Sequence, residues 1–490
     1  MQDFIQKTGL LLRDEYEAFE AALGAEPPVS IRINPRKAGD ILSLPAAGVA
    51  GLENVPWCET GYYLPERPSF TFDPLLHAGV YYVQEASSMF LEQAMCQIFT
   101  DTEFAGKRLT ALDLCAAPGG KSTHLLTLLP EDSFLVCNEV IRNRSLILAE
   151  IVAKWGHANT MITQNDPKTF GNIPSFFDVI LADLPCSGEG MVRKDQTDSV
   201  DQVKLCAARQ RRIIYDVWPA LKSGGYLIYS TCTFNTEENE ENVFALSQAL
   251  GAEIVPIPVK PEWNIAGALC RDIPVYRFFP HRVRGEGFFM ALLRKQDGEK
   301  IKNTDLPASF KNADLPAFNN NRQQKSASLV SLKNRQHLLL PASCKKTELI
   351  ASIEDWVSHP DRFSFRQTMV AVQAIPVVHE NTCSLLSKHL NILFAGISIC
   401  EWSGKIFTPS TALALSAEIN PNAFPTIELP YEQAISYLQR EAMSLPEHCP
   451  RGFVLITYQN RPLGFVKNIG NRANNLYPQE WRIRNRKKMT

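Results

Sequence analysis

From about residue 108 onward, short apolar segments alternate with amphipathic stretches, and no other feature constrains the fold of the chain as strongly. This alternation is typical of a parallel β-sheet that is covered by helices on both faces. The predicted strands are residues 109–114, 134–138, 160–163, 177–182 and 226–230, with a late strand at 287–293. The predicted helices are residues 121–129, 144–155 and 203–221. The sequence therefore predicts an α/β core that binds ligands at the carboxyl ends of its strands.

The 490 residues exceed what one such core needs, because a single domain typically takes about 150 residues. Residues 296–335 are predicted to form a polar linker, since they carry few large apolar side chains to offset chain entropy. Two apolar runs flanking Gln459 and Asn460 predict a β-hairpin at the C-terminal end. The predicted organisation is an N-terminal α+β extension at 1–95, a core at 96–295, the linker, an intermediate domain at 336–425 and a β-rich domain at 426–490.

Composition excludes several classes of protein. The N-terminus lacks the apolar stretch of a signal peptide, and no apolar run approaches the roughly 18 residues that cross a bilayer, so we expect a cytoplasmic protein without a membrane partner. The 12 cysteines include no Cys-x-x-Cys pair and the 9 histidines form no cluster, so no metal site is expected. The net charge of -2 leaves a nucleic-acid partner undecided.

A loop of small residues, Cys-Ala-Ala-Pro-Gly-Gly-Lys at 115–121, follows the first predicted strand and precedes a predicted helix. Such a loop lets the backbone approach a nucleotide-like ligand, although it matches no dinucleotide or P-loop fingerprint and could be an ordinary tight turn. Glu139 ends the second predicted strand, where an acid can bind ribose hydroxyls, and Asp166 follows the third, where an acid suits an adenine amino group. Together these residues favour a cofactor of the adenosine type.

Two cysteines follow neighbouring predicted strands, at the edge where ligands bind. Cys186 follows Asp183 in the segment Asp-Leu-Pro-Cys, and Cys232 lies in the segment Ser-Thr-Cys-Thr. A single free cysteine is usually a small buried apolar residue. Two of them at this edge favour nucleophilic chemistry instead, but the residues alone do not say which sulfur is the nucleophile.

The chain resembles the Sun-type RNA (cytosine-5) methyltransferase family, and in particular its RsmF-like 16S rRNA branch. The resemblance covers residues 1 to about 295. It is carried by the segments 30–34, 82–88, 115–121, 183–188, 230–233, 280–281 and 285–289, and by Glu139 followed by Arg144. Two departures are mild, because Leu184 and Glu150 stand where the family commonly has Ala and Asn, and neither touches a reacting group.

The resemblance implies a Rossmann-like core that binds S-adenosylmethionine. The implied cofactor-binding residues are Cys115, Ala116, Ala117, Pro118, Gly119, Gly120, Lys121, Glu139, Arg144, Asp166 and Asp183. It also implies that Cys232 is the nucleophile and that Cys186 assists release of the methylated base. A thiolate that adds to carbon-6 makes carbon-5 of cytosine nucleophilic enough to accept a methyl group. A carboxyl group at Asp183 could stabilise the charge that develops on the base.

The C-terminal residues are similar to the PUA-like RNA-binding domain of RsmF-type enzymes, through the segments 436–441, 463–467 and 475–478. The expected partner is ribosomal RNA or the small ribosomal subunit, with the protein a monomer. Contacts between this domain and RNA remote from the target base can supply the energy for unstacking that base. The candidate RNA contacts are Arg32, Lys194, Lys467, Arg472, Arg482 and Arg484.

Three other functions compete with this one. A DNA cytosine methyltransferase would depend on Cys186 alone and would leave Cys232 without a role. An amino-group methyltransferase needs an aromatic residue to stack the base where Cys186 stands. A ribosome-assembly factor without catalytic activity has no use for two thiols at a cofactor edge. The sequence disfavours all three.

Overall fold

The structure is a computed structural model that describes residues 8–39, 52–191, 200–297, 353–368, 370–402 and 406–484. Lys194 and nearly all of the predicted linker lie outside these ranges. The described residues form two compact units. The first unit contains residues up to 27 together with 166–297, and the second contains residues 28–165 together with the described residues after 352. No described helix has the length and apolar character needed to span a membrane.

The helices and strands are labelled in chain order. The helices are α1 (Tyr16–Leu23), α2 (Pro35–Ala38), α3 (Pro74–His77), α4 (Leu91–Thr100), α5 (Gly120–Leu128), α6 (Arg142–Trp155), α7 (Val200–Val217), α8 (Glu240–Leu250), α9 (Glu380–Leu386), α10 (Thr411–Leu415) and α11 (Tyr431–Leu438). The strands are β1 (Val29–Ile33), β2 (Glu53–Asn54), β3 (Gly61–Leu64), β4 (Tyr81–Val83), β5 (Thr110–Asp113), β6 (Phe134–Asn138), β7 (Thr160–Thr163), β8 (Phe177–Asp183), β9 (Leu221–Thr231), β10 (Glu253–Val255), β11 (Tyr276–Phe278), β12 (Phe288–Arg294), β13 (Phe363–Gln367), β14 (Ala371–Pro376), β15 (Ile392–Ala395), β16 (Ile397–Trp402), β17 (Phe407–Pro409), β18 (Thr426–Glu428), β19 (Gly452–Tyr458), β20 (Arg461–Asn468) and β21 (Ala473–Asn475).

The first unit contains a sheet in which β8 and β9 run parallel, while β12 pairs antiparallel with β9, β10 and β11. The register places Asp183 opposite Ser230, so the segments that leave β8 and β9 begin side by side. The predicted strands are confirmed here. The predicted helix 203–221 ends instead at Val217, because Pro219 has no N–H to continue it and the chain turns through a 3-10 segment.

In the second unit β5, β6 and β7 run parallel, as predicted, and β15 pairs antiparallel with β7. The predicted C-terminal hairpin is confirmed as β19 and β20, joined by Gln459 and Asn460. Both turn residues have positive φ angles, 49° and 57°, which the tight turn between twisted strands requires. A further antiparallel sheet runs in the order β13, β14, β16 and β17.

The second unit also contains an N-terminal sheet in the order β2, β3, β1 and β4 and a C-terminal sheet in the order β18, β19, β20 and β21, and these two sheets share one hydrophobic core. Ile31 and Val80 from the N-terminal side pack in the same cluster as Tyr437 and Val466 from the C-terminal side. The Tyr431 hydroxyl donates a hydrogen bond to a backbone carbonyl oxygen of the segment that precedes α3. From the sequence, these two regions are predicted to belong to separate domains. The domain boundaries at 95, 295 and 425 remain predictions.

Buried histidines make the stability of the second unit depend on pH. Burial lowers the pKa of His77 and His157 to about 3, and that of His124 and His379 to about 4. Unfolded histidine has a pKa of about 6.5, so between about pH 6.5 and about pH 4 the unfolded chain binds more protons than the folded one. The free energy of unfolding should therefore fall as pH decreases through this window. We expect a lower urea midpoint at about pH 5 than at about pH 7, and a smaller difference for His124→Gln. Equal midpoints would contradict this account.

Candidate functional site

The loop after β5 takes a conformation that only its glycines allow. Gly119 has a φ angle of +118° and caps the start of α5. A Cβ atom at Gly119 would lie 3.0 Å from the Ile151 side chain, and one at Gly120 would lie 2.9 Å from the Tyr82 ring. The Ser122 hydroxyl donates a 2.7 Å hydrogen bond to the buried carboxylate of Asp113, which fixes the end of β5 to the start of α5.

Glu139 and Arg144 hold this loop against the end of β6. Glu139 is 4% exposed, and its carboxylate accepts a hydrogen bond from the backbone of Ile141 and lies 3.1 Å from the Arg144 guanidinium. Arg144 also donates a 2.7 Å hydrogen bond to the Ala117 carbonyl oxygen. A carboxylate offers about four acceptor positions, so these contacts leave Glu139 capacity for the two hydroxyls of a ribose. The residues of this edge therefore fit an adenosine-containing cofactor.

Asp166 has a local role in the structure. Its carboxylate accepts a hydrogen bond from the backbone N–H of Lys168 and caps the 3-10 segment Pro167–Asn172. The side chain is exposed, which leaves an oxygen accessible. Contact between Asp166 and an adenine amino group remains a prediction.

The first unit brings Cys186 and Cys232 together, with their sulfur atoms 3.1 Å apart. Both residues are half-buried. The hydrogen bond to Cys232, followed by burial, raises the pKa of Cys186 well above its ordinary value. Either sulfur can be the donor in this contact, and the thiol that donates stabilises a thiolate on the other. Beside them, the Asp183 carboxylate accepts a 2.7 Å hydrogen bond from the Ser230 hydroxyl.

Two glutamates that sequence reasoning missed join the segments carrying these cysteines. The buried Glu238 accepts hydrogen bonds from the Ser187 N–H at 3.1 Å, from Gln210 at 2.7 Å and from Asn235 at 2.8 Å. Burial raises the pKa of Glu238. Its acidic side chain lies six residues after Cys232, and acidic residues close to a cysteine motif are the sequence signal that could have identified it.

Glu189 is the second of these glutamates. One of its oxygens accepts a hydrogen bond of 2.7 Å from the Thr233 hydroxyl and of 2.8 Å from the Asn235 N–H. The backbone N–H of Gly190 meanwhile donates to the Cys232 carbonyl oxygen at 2.9 Å. The hydrogen bonds that the Glu189 carboxylate accepts are charge-assisted, and such bonds are about twice as strong as neutral ones. They hold the segment after Cys186 and the segment after Cys232 in one arrangement.

The structure contradicts the predicted RNA contact at Arg32. This side chain is 0% exposed, donates hydrogen bonds to Gln84 and Thr123 at 2.8 and 2.6 Å, and stacks on Trp155. Arg32 also donates a hydrogen bond to the Gly120 carbonyl oxygen in the first turn of α5. Its guanidinium therefore anchors this turn, a role that sequence reasoning missed.

The remaining described candidates for RNA contact lie in the C-terminal sheet and the residues after it. Arg472, Arg482 and Arg484 are exposed, and Lys467 is half-buried with its ammonium group over the Phe453 ring. Their exposure is compatible with phosphate contacts, which remain predictions.

Among the described residues, Cys58, Glu92 and His124 form a buried cluster that could hold a metal ion. Burial raises the pKa of the Cys58 thiol to about 12 and lowers that of His124 to about 4, so both groups are neutral near pH 7. The positive charge of the buried Arg32 acts on both groups. A cation would have to displace the thiol proton beside this charge, and the expectation of no metal site remains a prediction.

Three family models match the chain. A model of 16S rRNA methyltransferase RsmB/F matches residues 106–294. A model of the N-terminal domain of 16S rRNA methyltransferase RsmF matches residues 1–86, and one of the methyltransferase RsmF PUA domain matches residues 424–483.

Curated proteins and solved structures agree with these models. Ribosomal RNA small subunit methyltransferase F from Escherichia coli O127:H6 is 31% identical over 481 residues, covering 95% of this chain and 92% of the relative. The protein of the same description from Escherichia coli O157:H7 is 31% identical over 480 residues with the same coverage. A methyltransferase homolog from Pyrococcus horikoshii is 27% identical with a TM-score of 0.51, covering 59% of this chain and 93% of that one. NSun6 from Pyrococcus horikoshii is similar in fold, with 19% identity, a TM-score of 0.51 and coverage of 61% and 99%.

Mild oxidation should join Cys186 and Cys232 in a disulfide before any other described cysteines react. Their sulfur atoms are 3.1 Å apart and must approach by only about 1 Å to reach the bonded distance of about 2.05 Å. Peptide mapping by mass spectrometry measures the product.

Glu189→Gln, which weakens the contacts between the two segments, should slow the reaction several-fold. Glu241→Gln, which weakens an exposed ion pair with Arg271 and a hydrogen bond from Cys270, should not change the rate. A disulfide at other positions would show that the two thiols are not adjacent.

Proposed function

The chain belongs to the RsmF family of 16S rRNA methyltransferases, and from this premise we propose that it makes 5-methylcytosine in 16S rRNA through a covalent bond between Cys232 and carbon-6 of the base. The Rossmann-like methyltransferase domain and the PUA-like domain come with this family. The observation that carries the proposal is the contact between two thiols at the carboxyl ends of β8 and β9. Transfer of a methyl group to a ring nitrogen or an amino group would not need such a pair.

S-adenosylmethionine supplies the electrophilic methyl group when it is bound. Methyltransferases of this family use it generally. The glycines of the 115–121 loop, together with Glu139 and Arg144, are the residues of the second unit that would hold it. The constrained Gly119 and the remaining acceptor capacity of Glu139 support this assignment.

The proposed reaction needs one thiolate and one base. The Cys232 thiolate forms a bond to carbon-6, and the electron pair of the ring double bond moves toward carbon-5, which takes up the methyl group. The methyl–sulfur bond of the bound donor would break in this transfer, so that its sulfur leaves as a neutral thioether. A base then removes the proton from carbon-5. That electron pair restores the double bond and breaks the bond between carbon-6 and sulfur, which releases the methylated base and the thiolate.

The hydrogen bond between the two thiols supports the proposed division of roles. In this proposal Cys186 keeps its proton while Cys232 ionises, which agrees with the raised pKa of Cys186, caused by its contact with Cys232 and by burial. Once Cys232 is bonded to the base it no longer carries charge, so Cys186 can ionise more easily and assist proton removal. The proposed role of Asp183 is to hydrogen-bond the cytosine ring as charge develops on it.

Family membership weakens the competing functions. The chain is 31% identical, over 95% of its length, to a ribosomal RNA methyltransferase. This similarity gives no support to a DNA substrate or to a protein without catalytic activity. An amino-group methyltransferase would place an aromatic side chain where Cys186 stands. The specific cytosine-5 product and the sulfur adduct are our proposal for this chain.

Removal of each cysteine should give opposite results in an adduct assay. RNA, labelled cofactor and protein are incubated, and protein–RNA species that survive denaturation are counted. Cys232→Ala should form none, because no sulfur adds to the base, whereas Cys186→Ala should accumulate them, because release is slow. Both variants should lose methylation by at least about 100-fold, the usual contribution of acid–base catalysis or more.

Cys270→Ala is the matched control for this assay. Cys270 is half-buried in the same unit but lies outside the thiol pair, so its replacement should leave methylation unchanged. An adduct that survives in Cys232→Ala and disappears in Cys186→Ala would reverse the proposed roles.

Neutralising exposed arginines of the C-terminal region should weaken RNA binding and its dependence on salt. In a triple variant Arg472→Gln, Arg482→Gln, Arg484→Gln, each lost phosphate contact should reduce the slope of log Kd against log salt by about 0.7–0.9. Fluorescence anisotropy with a labelled 16S rRNA fragment at several salt concentrations measures it. Arg271→Gln, which replaces an exposed arginine paired with Glu241, is the control. A slope equal to that of the unaltered protein would contradict these contacts.

A further inference from the structure

Residues 391–395, which contain β15 and which we call the β15 segment, have no assigned role. They lie between the matched family models, one of which ends at residue 294 and the next of which begins at residue 424. In the second unit this segment adds a strand to the parallel run β5, β6 and β7. Ile392 pairs with Thr163 and Ala395 with Met161. Strand β7, which would otherwise leave one edge of the run unpaired, is buried along its whole length.

Asn165 fastens this added strand to the turn that follows β7. Its side-chain oxygen accepts a 2.9 Å hydrogen bond from the backbone N–H of Asn391, and its side-chain nitrogen donates at 3.2 Å to the Asn391 carbonyl oxygen. The Gln164 N–H donates to the same carbonyl oxygen at 3.0 Å. Asn165 is 9% exposed, so the cost of leaving these groups unpaired would be high.

Asn138 continues the chain of contacts from Asn165 to the cofactor loop. The Asn138 side chain is 0% exposed; its oxygen accepts from the Asn165 N–H at 2.9 Å, and its nitrogen donates to the Asn165 carbonyl oxygen at 3.0 Å. The same nitrogen donates to the Leu114 carbonyl oxygen at 3.1 Å. Leu114 immediately precedes the 115–121 loop, and the Ala116 N–H donates to the Asn138 carbonyl oxygen at 2.8 Å.

We infer that the β15 segment is a working part of the cofactor site, and that Asn165 and Asn138 are positioning residues that transmit its support to the 115–121 loop. The inference rests on the proposed cofactor. Two amides connect the backbone of residue 391 to the residue before the loop, through hydrogen bonds that leave little freedom at either end. Because the loop must be held in place to bind a ligand closely, loosening this connection lowers cofactor affinity.

The test uses the full chain, S-adenosylhomocysteine as the probe, and isothermal titration calorimetry without RNA. Asn165→Ala removes both side-chain contacts with residue 391, and the Kd should rise about tenfold, which corresponds to roughly 1.4 kcal/mol. Urea unfolding curves of the same samples report stability separately. Asn165→Asp keeps the acceptor and loses the donor, so it should raise the Kd by a smaller factor and serves if Asn165→Ala does not fold.

Asn468→Ala is the matched control. Asn468 is a buried asparagine of the same unit whose side chain donates to the Cys449 and Pro450 carbonyl oxygens at 3.0 and 3.1 Å and accepts from the Gly470 N–H. Its replacement should lower stability and leave the Kd within about twofold, or roughly 0.4 kcal/mol.

Three results would overturn the inference in distinguishable ways. An unchanged Kd for the Asn165 variants, or an equal rise for Asn468→Ala, would overturn the positioning role and leave the proposed function intact. Failure of the unaltered protein to bind S-adenosylhomocysteine would overturn the proposed cofactor and the inference with it.

Discussion

The parallel pairing of β8 with β9 is the constraint on which the candidate chemistry depends. Because Asp183 lies opposite Ser230, the two segments that leave these strands are forced into contact, and Cys186 and Cys232 come within 3.1 Å of each other. Hydrogen bonds to Glu189 and Glu238 then prevent the segments from separating. At this contact a proton on one sulfur can stabilise a thiolate on the other.

In the second unit the 115–121 loop has mostly small side chains, and small side chains pack weakly. Polar contacts with the backbone hold this loop in place instead. Arg144 binds the Ala117 carbonyl oxygen, Arg32 binds that of Gly120, and Asn138 binds that of Leu114. All three side chains come from outside the loop, so a loop of mostly small residues can still keep one conformation.

The sequence predicted the strands of the core and the approximate positions of its helices, since alternating apolar and amphipathic segments are local signals. It could not predict how polar side chains are satisfied. Arg32 resembled an RNA contact, but its guanidinium is buried among partners distant in the chain, such as Thr123, which is 91 residues away. The sequence analysis did not identify Glu189 and Glu238, whose carboxylates also accept hydrogen bonds from residues distant in the chain. Likewise, nothing in the sequence around β15 indicated that it would pair with β7, about 230 residues earlier. Contacts of this kind depend on topology, which local patterns do not encode.

The central claim is that the sulfur of residue 232 bonds to the base. It is tested most directly with RNA that carries 5-fluorocytidine at the modified position, because fluorine on carbon-5 blocks the final elimination and traps the adduct. After incubation with S-adenosylmethionine, digestion and mass spectrometry locate the modified peptide. The account predicts a methylated fluorocytidine attached to the peptide that contains Cys232. Attachment at Cys186, or methylation without any covalent species, would contradict it.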